Sequence, residues 1–197
     1  MSEKEEVVRP KGFRVVHLAL IAVVAAVNTV AAVAASVIQP VPGLAFIYLP
    51  FGIMPVFGVW FGPWAVIGGV ISGVLYAPSY GMAPHLGAIS GTSDAMLALI
   101  PWLAFKAMKT NPRIVSKLDY AMWGLVVAIV TPLVELLYYN LLEVYAFGWL
   151  TWDAFWPAYI AAAVGGLIVS IPLSIVLLKV LSPYVTSSSL YVKGWFY

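Results

Sequence analysis

Long apolar runs separated by short polar stretches set the pattern of this chain. Residues 1–14 are polar and charged, and the apolar stretch that follows predicts a first helix over Val15–Val37. The run 44–61 predicts a second helix, interrupted by Pro50 and Pro55, and 64–77 a third and shorter one. Residues 79–91, rich in Gly, Pro and Ser, read as a loop. A fourth helix is predicted over 92–108, a basic loop containing Pro112 over 109–118, and a fifth helix over 119–142. An aromatic connector, 143–156, leads to a sixth helix over 157–181, and the 182–197 tail adds no span. The runs are continuous and do not alternate, which favours spanning helices over outer-membrane strands. A crossing takes about 20 helical residues. The expected fold is therefore an all-α membrane protein, a bundle of about six transmembrane helices over 15–181 with short tails at 1–14 and 182–197.

Composition agrees. The apolar fraction is 63% and the charged fraction 9%, against about 45–50% and about 25% in soluble domains. So little chain is left outside the spans that a nucleotide-binding domain has no room, and no G-x-x-x-x-G-K-[ST] loop occurs. Any ATP-driven work would need a second chain. With no cysteine, disulfide and thiol chemistry are excluded.

Charge then orients the bundle. Lys4, Arg9, Lys11 and Arg14 precede the first helix, Lys106, Lys109, Arg113 and Lys117 surround the fourth-to-fifth connection, and Lys179 and Lys193 end the chain. With six spans and an inside N-terminus, all 10 basic residues fall on the cytoplasmic side, while Asp94, Glu143 and Asp153 collect outside. Both termini are expected in the cytoplasm of a multi-pass cell-membrane protein. Ala32-Val33-Ala34 resembles a signal-peptidase site, but the first apolar run is longer than a usual signal core, and it is expected to be retained.

Few residues can carry chemistry. Glu135 is the only carboxylate well inside a predicted span, with no Lys or Arg in an outer half-span to pair with it. A charge near the bilayer centre costs about 2.5–3.5 kcal/mol on insertion scales. Glu135 is therefore either a ligand contact or a protonated acid held by a tyrosine hydroxyl. Thr131, Tyr138 and Tyr139 share its helical face. Aromatic residues gather toward the outer side, among them Tyr76, Tyr80 and Trp152, more densely than an interfacial belt needs, and could stack on a planar ligand. Asp94 follows Thr92 and Ser93 at the predicted start of the fourth helix, where it would complement the helix dipole or contact substrate. Asn28, mid-span, is a packing or a ligand-facing polar group. Ala22 and Ala26, and Ala31 and Ala35, repeat at four-residue spacing and could form either a docking face or ordinary bundle packing. His17 and His85 are expected on opposite membrane faces, and no metal-site spacing, nucleophile motif or nucleic-acid patch is present.

The segment from Tyr48-Leu49-Pro50-Phe51-Gly52 through Phe61-Gly62-Pro63-Trp64 to Gly68-Gly69 resembles helices two and three of the S components of energy-coupling-factor (ECF) transporters: a Pro-containing second helix, Phe-Gly-Pro at a short cytoplasmic turn, then a Gly-rich third helix. Ala22-x-x-x-Ala26 is similar to the family's alanine motif. Many members carry an acidic residue at the end of the Gly-rich segment, where this chain has Ser72-Gly73, and the His-led N-terminus of the metal-transporting members is absent. The resemblance implies a substrate-capturing subunit of a vitamin or micronutrient importer. It would be no enzyme itself and would need no cofactor. A small molecule, planar and either donor-rich or cationic, would be bound at the outer helix ends by Glu135, Tyr139, Tyr138, Asn28, Tyr76, Tyr80, Asp94 and Trp152. Ala22, Ala26, Ala31 and Ala35 would dock on a transmembrane coupling subunit that carries two ATPase subunits. A structural or sensory membrane subunit that uses the same small-residue faces for assembly and binds no substrate is the alternative.

Overall fold

A computed structural model describes residues 15–37, 47–188 and 191. Six helices carry the fold: α1 (Val15–Val37), α2 (Pro50–Phe61), α3 (Pro63–Tyr76), α4 (Pro84–Met108), α5 (Lys117–Phe147) and α6 (Trp152–Ser187). A 3-10 turn, Ala77–Tyr80, follows α3. Four of the helices, α1, α4, α5 and α6, are long and apolar enough to cross a membrane, and this marks the chain as a membrane protein. By contrast, the 12 residues of α2 rise only about 18 Å, well short of a hydrocarbon core of about 30 Å. Helix α2 can be short because it is hardly in contact with lipid. Nearly all of it is buried, Phe51, Met54, Val56, Val59 and Trp60 almost completely, and it packs between α4 and α6.

Proline opens three of these helices. Pro50, Pro63 and Pro84 stand in first turns, where the missing N–H costs nothing and the fixed φ is already helical. Between α2 and α3 the chain turns on Gly62 alone. Its φ of 55° lies in the left-handed region that glycine tolerates, and its N–H still bonds Gly58 O. From there α2 and α3 part, α3 packing on α1 and α4.

The contact between α3 and α4 corrects the sequence reading. Residues 79–91 are not a loop, because α4 begins at Pro84. Gly87 and Gly91 are not breakers there but the contact surface. A Cβ at Gly73 of α3 would run into the Gly87 carbonyl oxygen, and one at Gly91 would stand 2.5 Å from Val70 O. Helices in lipid associate by packing, so small residues on both partners bring the backbones together. The same correction applies elsewhere. The connector 143–156 shrinks to 148–151, since Glu143–Phe147 continues α5 and α6 starts at Trp152. Backbone groups at membrane depth need intrahelical partners, which favours prolonging a helix over a long loop. Helix α6 also runs past residue 181 to Ser187. The second helix starts at Pro50, Tyr48 before it being non-helical, and residues 44–46 of the predicted span lie outside the described residues. The 1–14 tail and half of the 182–197 tail lie outside them too.

Helix α5 is not uniform. Lys117–Met122 is α-helical, Trp123–Val130 has the wider π turn, Thr131–Leu142 is α-helical again and Glu143–Phe147 is π. The Thr131 hydroxyl donates to Val126 O, five residues back, at 2.7 Å. At its start Ser116 and Asp119 form a reciprocal capping box. The Asp119 carboxylate also accepts the N–H groups of Asn111 and Val115, at 2.8 and 3.1 Å. The basic connection between α4 and α5 is thereby folded around one side chain.

Candidate functional site

The end of the bundle opposite that basic connection holds a cavity of about 300 Å³. Every helix except α1 contributes to its lining. Tyr48 and Phe51 come from the entry to α2, Tyr76 from the last turn of α3, Tyr80 from the 3-10 turn, and Ser90 and Ser93 from α4. Helix α5 lends Glu135, Tyr139, Asn140 and Glu143, and α6 lends only small residues, Ala158, Ala161 and Ala162. Trp149, in the short connector, stands at the rim and is 53% exposed.

The wall is aromatic on two sides. Tyr48 and Phe51 meet edge to face with centroids 5.1 Å apart, and Tyr76 and Tyr80 do so at 5.6 Å. Most tyrosine hydroxyls there are already engaged. Tyr80 OH donates to Ala32 O at 2.8 Å, and Tyr76 OH shares a 3.0 Å bond with Ser90 Oγ. Tyr48 OH donates to Asp94 Oδ1 at 2.8 Å. Behind Tyr48 lies a buried polar cluster. Asn28 Nδ2 donates to Asp94 Oδ2 at 3.0 Å and to Ser72 Oγ at 2.7 Å, and the Ser72 hydroxyl donates in turn to Gly69 O at 2.7 Å. The cluster ties α1, α3 and α4 to the residue that leads into α2.

Glu135 is the exception in this wall. It is 2% exposed, and its Oε2 has no hydrogen-bond partner among the described residues. A buried polar atom left unpaired loses its hydration without return. No described residue engages that oxygen, and Glu135 is one of the residues that line the cavity.

The structure sorts the sequence-predicted residues. Glu135, Tyr139, Tyr76 and Tyr80 line the cavity, and Asn28 and Asp94 support it from behind Tyr48 without lining it. Asp94 is not at a helix start. It sits well inside α4 and fully buried, with the Thr92 and Ser93 hydroxyls bonded back to Ile89 O and Ser90 O, so neither caps the helix. Tyr138 turns away and bonds Thr92 Oγ1 at 2.8 Å. Trp152 is 54% exposed, lies against Tyr145 and Phe155, and has no place in the wall. The alanine set divides as well. Ala22 and Ala26 are exposed, whereas Ala31 and Ala35 are buried in the bundle and are unavailable to a partner. His85 is exposed, and among the described residues no group of side chains could hold a metal ion.

Sequence reasoning left out Ser90, Ser93, Asn140 and Glu143. The two serines were hidden by the loop reading of 79–91. Glu143 had a usable signal, since Glu135, Tyr139 and Glu143 repeat every four residues along one face of α5. Comparison of the chain with protein-family models, with curated proteins and with solved structures gives no match.

Proposed function

We propose that this chain is the substrate-capturing membrane subunit of an ATP-driven importer of the energy-coupling-factor kind. It would cross the cell membrane six times, with both termini and the basic connection in the cytoplasm and the cavity facing out. The observation that carries this reading is the aromatic cavity with Glu135 in its wall, one of whose carboxyl oxygens has no partner among the described residues. A purely structural subunit would have no use for that group, while a capture protein needs an enclosed space with a few placed polar atoms. Short α2 and α3 add two crossings to the four long ones if chain outside the helices completes them. The exposed Ala22 and Ala26 on α1 leave a smooth strip beside which a coupling subunit can lie. Since the chain has no nucleotide-binding motif, energy would come from two ATPase subunits held by that partner.

Purification of the tagged chain from its own membrane in mild detergent, with mass spectrometry of everything retained, tests the proposal. One transmembrane coupling protein with two ATPases is the expected result. Recovery of redox or sensory subunits, with no ATPase, would overturn it.

A further inference from the structure

We infer that the cavity takes an elongated organic cation, whose positively charged, N–H-bearing head group is held by Glu135 and whose body lies along Tyr139 toward Glu143. The inference rests on reading the cavity as the capture site and assigns the class of molecule captured there.

Three observations carry it. The first is charge. The wall holds two carboxyl groups, Glu135 and Glu143, and a third, Asp94, stands immediately behind Tyr48. No Lys, Arg or His is among the lining residues. An anionic ligand would meet only like charge in a region of low dielectric, where such repulsion is strong. The second is hydrogen bonding. Asp94 already accepts from Tyr48 and Asn28, so it needs nothing further. Glu135 Oε2 is buried and accepts from no group among the described residues. A charged donor would hydrogen-bond that carboxyl and also balance the charge of its ionised form, which a neutral donor does not.

The third is shape. Glu135, Tyr139 and Glu143 form one stripe, each separated from the next by a helical rise of about 6 Å. Glu135 is buried at the inner end, whereas Glu143 is half-buried near the rim beside Trp149. A ligand engaging both ends must be longer than it is wide. Beside them the Tyr76–Tyr80 pair and Tyr139 line the cavity with aromatic rings, groups that can hold a cation or a flat apolar body. Alanines on α6 leave the opposite side bare, so that wall sets thickness and not chemistry.

Isothermal titration calorimetry of the full chain in detergent, with three probes of one shape, tests this. The probes are phenylguanidine, a planar cation, phenylurea, its uncharged counterpart, and benzoate, an anion. Saturable binding of phenylguanidine is expected, at least about tenfold tighter than phenylurea, with no binding of benzoate. Glu135→Gln should weaken phenylguanidine by about tenfold or more, and Glu143→Gln by less. If Glu135→Gln fails to fold, the ranking of the three probes on the unaltered chain still decides. Equal or tighter binding of phenylurea or benzoate would overturn the assignment. So would failure of phenylguanidine to saturate in the millimolar range, or a folded Glu135→Gln chain that binds it unchanged. Co-purification of ATPase partners with a chain that prefers phenylurea would overturn the cation alone. Cation binding by a chain that retains no such partners would leave the cation standing and overturn the importer reading.

Discussion

At the scale of single residues, the polar groups in this bundle divide into those that are satisfied and those held open. Asn28 shows both in one side chain, since its Oδ1 has no partner among the described residues. Its amide nitrogen closes two bonds at once, to Ser72 and Asp94. Replacing it by alanine removes both and leaves buried acceptors on α3 and α4. Bonds between membrane helices average about 0.6 kcal/mol, and stranding a buried partner adds about 1–3 kcal/mol. Asn28→Ala should therefore destabilise by about 1–2 kcal/mol, read as a Tm lower by about 3–6 °C in a detergent melt. An unchanged Tm would mean the cluster contributes nothing to holding α1 on the bundle. Sequence alone could rank Asn28 and Asp94 only as polar groups in need of partners. That they are each other's partner depends on the pairing of helices 66 residues apart, which no local pattern encodes. Glu135 was legible for the opposite reason: a carboxylate in an apolar run with no basic neighbour stands out before any fold is known.

At the scale of elements, helix existence was easier to read than helix boundaries. Continuous apolar runs located every crossing candidate. The misplaced ends all involve glycine or proline, which break helices in water but pack or open them here. Gly73 is the sharpest case, because its α-hydrogen sits against the Gly87 carbonyl and Gly91. A leucine at Gly73 would force α3 and α4 apart, and overpacking of this kind costs about 1–3 kcal/mol or more. Gly73→Leu is expected to give little monodisperse protein on gel filtration. By comparison, a leucine at Gly124, around whose Cβ position there is open space, should elute as the parent chain does. Equal yields from the two would refute the close approach of α3 and α4. The alanine motif shows the limit of spacing arguments. The two alanine pairs have the same interval in the sequence, yet Ala22 and Ala26 face out and Ala31 and Ala35 face in. Ala31 follows Ala22 by 31 − 22 = 9 positions, and that many helical steps of about 100° bring the second pair to the opposite face.

At the scale of the whole molecule, the two ends of the bundle differ. The end with the basic connection is tied shut: Trp60 Nε1 donates to Ser182 Oγ at 2.8 Å, and Arg113 Nη2 to Thr186 O at 3.3 Å. The other end is hollow. On the proposed reading, cargo held in the hollow end would reach the cytoplasm by movement of the entire body. The orientation can be tested directly because the chain contains no cysteine. Single cysteines at Ser79, on the cavity side, and at Val115, in the basic connection, are both at exposed positions. In intact cells a membrane-impermeant maleimide should label Ser79→Cys, and Val115→Cys only after lysis. The reverse pattern would invert the topology, and labelling of both would break the span count. Charge bias alone gave this orientation in the sequence, whereas no sequence pattern announced that one end would be hollow.

The wide turns of Trp123–Val130 bear on how such a chain could diversify. A single residue lost there would rotate the cavity half of α5 by about 100° about its own axis, carrying Glu135 out of the wall while the capped start at Ser116 stayed in place. The side chain that meets cargo is thus chosen by a residue count in a stretch that touches no cargo. Between related chains, a gap of one position in this helix would outweigh many substitutions in the wall itself. Two sequences could agree at every lining position and still present different surfaces to what they carry.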